Sequence, residues 1–256
     1  MNFTELGLSP QTVKAIEEIG ITQPSTVQAD VIPSVLEGKD VFTIAPGRCG
    51  KTYSYVFPLL DIIARKEKHN ILIITADSAH ASTVSDRFAI FNKYHEEPQG
   101  EETNVVIASP DLILELVQEN NIDLSHTEIL VVDDINLIKT RHQLSNLEKV
   151  LEMLPAEKQN IVFTNRRSKE TQSILDKILQ TPTEIKVDKA KEDEASTLQT
   201  SAATEQTQTA PAPQPHIYKA PERDELALEM VEKYNTFEGK TPAYLLYKGE
   251  LVKTRA

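Results

Sequence analysis

Six short apolar runs recur along the chain: VFTIA at 41–45, ILIIT at 71–75, NVVIAS at 104–109, EILVVDD at 128–134, NIVFT at 160–164 and EIKV at 184–187. Their apolarity is continuous rather than alternating, the pattern of strands buried on both faces. Stretches of helical periodicity lie between them, from Lys51 to Lys66, Ser82 to Phe91, Pro110 to Gln118, His142 to Met153 and Ser168 to Leu179. Strands alternating with helices predict an α/β fold, a doubly wound parallel sheet with helices on both faces. Upstream, Ser9-Pro10 reads as a helix start and Gly20 as its stop, with Val13, Ile16 and Ile19 facing inward, and a second helix follows Ser25.

Composition narrows the class of function. The chain has 27 Lys and Arg against 39 Asp and Glu, a net charge of -12. Tight nucleic-acid binding draws on Lys and Arg to replace counterions on phosphates, so the acidic balance argues against it. Aromatics make up 5% of residues and Trp is absent, which leaves core packing to Val, Ile and Leu. One Cys excludes an internal disulfide and a Cys-based metal cluster, and the six His show no metal-ligand spacing. No apolar run approaches the roughly 18 residues of a membrane span. The start MNFTELGLSP carries neither a basic n-region nor an apolar h-region, so the expectation is a cytoplasmic protein with no membrane partner.

Composition changes near residue 190, where KEDEASTLQTSAATEQTQTAPAPQPH carries no aromatic residue and reads as a disordered linker. The expected organisation is a domain at 1–190, a linker at 191–217 and a short tail at 218–256. In the tail Leu226, Met230 and Tyr234 share a helical face, and AYLLYKGELVKT reads as a hairpin turning near Lys248-Gly249. A segment below about 50 residues rarely folds alone, so the tail is expected to dock on the main domain or on a partner.

APGRCGKT at 45–52 stands between a predicted strand and a predicted helix, the context of a phosphate-binding loop. Backbone N–H groups at such a helix start cradle phosphates, with Lys51 reaching the terminal phosphates and Thr52 holding magnesium. Upstream, GITQPSTVQ at 20–28 preceded by FTELGLS resembles the Q motif of DEAD-box RNA helicases. The remaining motifs of that family's first RecA-like domain follow in order. APGRCGKT takes the place of A-x-T-G-x-G-K-T, TADSAHA at 75–81 that of P-T-R-E-L-A, and ASPDLI at 108–113 that of T-P-G-R-L. VVDDIN at 131–136 takes the place of D-E-A-D and FTNR at 163–166 that of S-A-T.

The resemblance implies an ATP and Mg2+ pocket in a RecA-like domain. Gln28 would read the adenine edge and Phe3 would be the upstream aromatic. Ala45, Arg48, Cys49, Gly50, Lys51 and Thr52 would form the phosphate loop, and Asp133 would hold magnesium through water. Asp134 stands where the family has the Glu that positions the attacking water. It is one methylene shorter, about 1.5 Å, and a misplacement of about 1 Å can cost a hundredfold in rate, so hydrolysis is expected to be slow or absent. Asn136 replaces the family's last Asp, and Thr164-Asn165-Arg166 replaces Ser-Ala-Thr, which puts the coupling of nucleotide to RNA in doubt. Ser78 stands for an RNA-binding Arg and Asp111 for a Gly that touches phosphate, so RNA is expected to bind weakly or not at all.

Arg48 stands where the family has Gly, and a positive φ there would cost a non-Gly residue about 1–2 kcal/mol. Cys49 reads as a tolerated small side chain, with an oxidisable thiol at a helix N-terminus as the alternative. The residues after 190 are too few for a second RecA-like domain, the family's source of arginine fingers, so a protein partner would supply it or bind the tail. Three readings result: a degenerate ATP-binding module without efficient hydrolysis, a weak ATPase completed by a partner, and an interaction protein with a vestigial pocket.

Overall fold

In the computed structural model, which describes residues 1–65, 70–95, 104–179 and 181–187, the six runs form one parallel sheet. Its strands are β1 (Val41–Ile44), β2 (Asn70–Ile74), β3 (Asn104–Ala108), β4 (Ile129–Val132), β5 (Gln159–Thr164) and β6 (Thr183–Lys186), in the order β3-β2-β4-β5-β1-β6. Register is regular, with Val41 opposite Ile161 and Ile71 opposite Ile129. The expected linker at 191–217 and tail at 218–256 lie outside the described residues.

Because side chains alternate across a strand, each of β1 to β5 feeds two cores. Ile71, Ile73, Val131, Ile161 and Phe163 face one core; Leu72, Ile74, Leu130, Val132 and Val162 face the other. The first core is covered by α1 (Pro10–Glu18), α2 (Thr26–Leu36), α3 (Lys51–Ala64) and α4 (Ser78–Phe91). The second is covered by α5 (Pro110–Gln118), α6 (Ile135–Thr140), α7 (Leu144–Glu152) and α8 (Lys169–Ile178). Each fully buried Val, Leu or Ile contributes about 1.5–3 kcal/mol, so two complete cores outweigh the strain of a few loop residues. The edge strand β6 buries only Ile185 of its four residues, which is why its sequence is the least apolar of the six runs.

Three local expectations need correction. Ile19 is not inward: it caps the end of α1 and is 42% exposed, because the helix has already stopped at Glu18. Helix α4 begins at Ser78 rather than Ser82, since Asp77 accepts from the His80 backbone N–H and starts the helix over a stretch without large apolar residues. Residues 135–140, which carry no helix in the sequence reading, form α6 because Asp134 caps them.

Candidate nucleotide site

The parallel strands β1, β2, β4 and β5 end at Ile44, Ile74, Val132 and Thr164 along one edge of the sheet, the edge where open α/β sheets bind ligands. Strand β5 lies between β4 and β1, so Thr164 separates the loop at 45–50 from the Asp133-Asp134 pair. The Ala45 N–H donates to the Thr164 carbonyl at 3.0 Å and the Asp133 N–H to the Ile74 carbonyl at 2.9 Å, which fixes both loops to the sheet.

Within the loop, Gly50 holds a conformation that favours glycine. Its φ is +88°, and a Cβ there would lie 2.6 Å from Gln28 Nε2. Arg48 adopts φ 64°, the left-handed conformation that costs a non-Gly residue about 1–2 kcal/mol, and its side chain is exposed. Cys49 is 4% exposed, and its Sγ donates to the Pro46 carbonyl at 3.0 Å. Burial overturns the oxidisable-thiol alternative, since reactive cysteines are at least partly accessible.

The start of α2 braces this loop. Ser25 and Gln28 form a capping box, with the Ser25 N–H donating to Gln28 Oε1 at 2.9 Å, and Ser25 Oγ donates to the Cys49 carbonyl at 2.9 Å. Gln28 is therefore brought to the loop, 4% exposed, with its amide nitrogen facing Gly50. Phe3 is not brought to an open site: it is 2% exposed and packs edge-to-face on Phe57 at 5.9 Å, so neither ring face is open to a base.

Lys51 Nζ, at the first position of α3, donates to the Ala45 carbonyl at 3.2 Å and to Asp134 Oδ2 at 3.2 Å. Asp134 has φ 111°, an unusual conformation for a residue with a side chain. Its Oδ1 accepts from the N–H groups of Asn136 and Leu137, each at 3.2 Å, capping α6. Next to it, burial first and then the Asp134 charge push the Asp133 carboxyl up to about 7, against the pull of Lys51, His80 and Tyr55. Tyr55 is fully buried one turn into α3, beside Asp133 and Thr52, and its hydroxyl makes no hydrogen bond of good geometry. Burial and the Asp133 charge hold that phenol well above its ordinary 10.0. Among the described residues no three His, Cys, Asp or Glu are grouped to hold a metal by themselves.

Asn136 is 5% exposed, and its Nδ2 faces three acceptors: Thr164 Oγ1 at 2.8 Å, Asn165 Oδ1 at 3.1 Å and the Arg166 carbonyl at 2.5 Å. An amide nitrogen carries two hydrogens, so one of these bonds is shared. The link between the ends of β4 and β5 therefore exists, built on an amide donor. At the end of β2, burial pushes the Asp77 carboxyl up, but hydrogen bonds from the His80 backbone and ring and the charges of His80 and Arg141 outweigh it and leave it below its ordinary range. Ser78 is exposed in the first turn of α4, and Asp111 is exposed in the first turn of α5, where a carboxylate complements the helix dipole.

The sequence reading gathers Lys51, Thr52, Asp133, Asp134 and Gln28 at this edge and pairs Asn136 with Thr164-Asn165-Arg166, leaving their link in doubt, but misses Tyr55 and the bracing role of Ser25. Ser25 was legible as the first residue of an S-x-x-Q capping box. Tyr55 was not, because an aromatic on a buried helix face reads as core.

A parallel sheet with a glycine-dependent loop between its β1 strand and the following helix defines a RecA-like α/β protein of the P-loop class. Residues 25–174 match the model of the DEAD/DEAH box helicase family, and the chain belongs to that family. It is similar to the DEAD-box ATP-dependent RNA helicase RhpA of Helicobacter pylori (strain B128), 26% identical over 73% of this chain and 41% of that protein. It is also similar to the ATP-dependent RNA helicase SrmB of Escherichia coli (strain K12), 27% identical over 72% of this chain and 46% of that protein. The chain thus spans less than half the length of these two curated relatives. In fold it resembles the crystal structure of a DEAD box protein from Methanococcus jannaschii, with a TM-score of 0.67 and 22% identity over 73% of this chain and 56% of that one. Among the described residues no helix is long and apolar enough to cross a membrane.

Proposed function

We propose that the chain is a DEAD-box helicase-like domain that binds ATP with magnesium, hydrolyses it slowly or not at all, does not unwind RNA alone, and serves as a binding or regulatory module. The observation that carries this reading is the engagement of Asp134. One of its oxygens caps α6 and the other lies on Lys51 Nζ, so once Lys51 turns to the phosphates a single oxygen, on a side chain one methylene shorter than Glu and tethered by the cap, is left to reach a water. A general base must lie within hydrogen-bond reach of the proton it takes.

Binding has the groups it needs. Thr52 and Asp133 are hard oxygen donors of the kind that hold magnesium beside phosphates, and the buried Tyr55 hydroxyl next to them makes no hydrogen bond of good geometry. Magnesium would neutralise phosphate charge. Lys51 would turn from Asp134 to the phosphates, the backbone of Ala45, Cys49 and Gly50 would wrap them, and the Arg48 guanidinium would offset its backbone strain by meeting them. Gln28 would present its amide to the base. Asp111 at the start of α5 would repel an RNA phosphate there, and Ser78 supplies no positive charge, so RNA is expected to bind weakly.

The test is equilibrium binding set beside turnover in the same protein. Saturable magnesium-dependent ATP binding with turnover at background supports the reading. Rapid turnover that Asp134→Ala removes contradicts it. A second reading, a weak ATPase completed by a second RecA-like domain from a partner, is favoured by the Asn136–Thr164 bond, which keeps β4 and β5 linked. Turnover that appears only when such a domain is added, and is lost in Asp134→Ala, would support that version.

A further inference from the structure

Tyr55 presents a problem that packing does not solve. Its ring sits against Phe163 at 5.4 Å with no exposed surface, a role that phenylalanine would fill equally well. The hydroxyl is the only addition, and it is buried beside Asp133 and Thr52 without a hydrogen bond of good geometry. Burying a hydroxyl unpaired costs about 1–3 kcal/mol, so its retention calls for a reason.

Its position supplies one. Tyr55 follows Lys51 by four residues and Thr52 by three, so all three share one face of α3. Long side chains on a helix lean back toward its N-terminus, which carries the Tyr55 hydroxyl toward the loop end of α3 and places it beside Thr52 and Asp133. These are the two residues the proposed function assigns to magnesium.

We propose that Tyr55 is a positioning residue of the magnesium site: its hydroxyl donates to the Asp133 carboxylate when the cation binds and orients the oxygen that faces the cation's water. The proposal rests on the nucleotide-binding reading above and adds to it a residue toward which the loop motif gives no hint. Outer-shell hydrogen bonds of this kind fix a ligating carboxylate, and their loss weakens metal affinity about 10–100-fold.

The experiment compares wild type with Tyr55→Phe, which removes one oxygen and leaves the ring in place. ATP binding is measured by calorimetry across a magnesium series and in EDTA, and thermal unfolding is measured without ligand. The expected result is that Tyr55→Phe needs about tenfold more magnesium for half-maximal binding. It should match wild type in EDTA and melt at the same or a higher temperature, because an unpaired buried hydroxyl has gone. A magnesium requirement unchanged from wild type overturns the proposal and leaves Tyr55 as core. Absence of ATP binding by wild type itself would sink the nucleotide reading together with this inference, an outcome visible before the variant is compared.

Discussion

Asn136 and the residues it meets have been chosen together. Its amide donates toward Thr164 Oγ1, Asn165 Oδ1 and the Arg166 carbonyl, all acceptors for that nitrogen. A carboxylate in its place would face the Arg166 carbonyl, whose oxygen cannot become a donor. Asn136→Asp, which restores the family's residue type, is therefore expected to destabilise by about 1–3 kcal/mol, read from urea denaturation. A stability equal to wild type would show that the β4–β5 link adapts freely. Arg48 makes the opposite case. With φ 64°, Arg48→Gly is expected to stabilise the unliganded protein by about 1 kcal/mol and to weaken ATP binding, since the same change removes strain and a guanidinium. Tighter or unchanged ATP binding in that variant would remove Arg48 from the site. The sequence showed that a positive φ at position 48 would be costly, and the structure adopts it. The burial of Phe3 was illegible because nothing local distinguishes a core aromatic from one that stacks on a base.

Helix α1 is fastened by polar groups as well as by its apolar face. Asp61 of α3 accepts from the Ser9 N–H at 2.6 Å and from Ser9 Oγ at 2.7 Å, and also from Thr12 Oγ1. His95 Nε2 lies 2.8 Å from Thr12 Oγ1 and 3.8 Å from Asp61 Oδ1, its side chain only 5% exposed. Burial lowers the His95 pKa from its ordinary 6.5, although Asp61 pulls the other way. The unfolded chain therefore takes up a proton on His95 before the folded protein does. Stability is fully present above 6.5 and is lost as pH falls through the window below it. Thermal unfolding between about pH 7 and pH 5 should lose this component in His95→Gln. Asp133, pushed up to about 7, gives a slope of opposite sign, so the difference between the two proteins is the readout. Identical pH profiles would contradict the account. Strands and long helices were legible from apolar runs and periodicity. Helix α6 was not, because its six residues begin at a cap whose conformation, φ 111° at Asp134, no sequence pattern announces. The Asp61–His95 contact joins residues far apart in the chain and left no local signal.

At the scale of the molecule, α1–α4 cover one face of the sheet and α5–α8 the other, and among the described residues the last strand ends at Lys186. Truncation after residue 187 tests the expectation that the tail at 218–256 docks: a fall in melting temperature of more than about 4 °C, the equivalent of roughly 1 kcal/mol for a domain of this size, is the result expected if it docks on the domain. An unchanged melting temperature would contradict docking on the domain and leave a partner as its seat. The sheet order places the loop at 45–50, the Asp133-Asp134 pair and the Thr164 turn along one edge, and this juxtaposition followed from the order of the motifs. How the side chains share their bonds there did not, because it depends on distances that only the folded chain fixes. The central claim, that this edge is a working nucleotide site, is tested most directly by calorimetric titration of ATP with magnesium into wild type and Lys51→Ala. The account predicts saturable binding by wild type that Lys51→Ala abolishes; no binding by either, or equal binding by both, would contradict it.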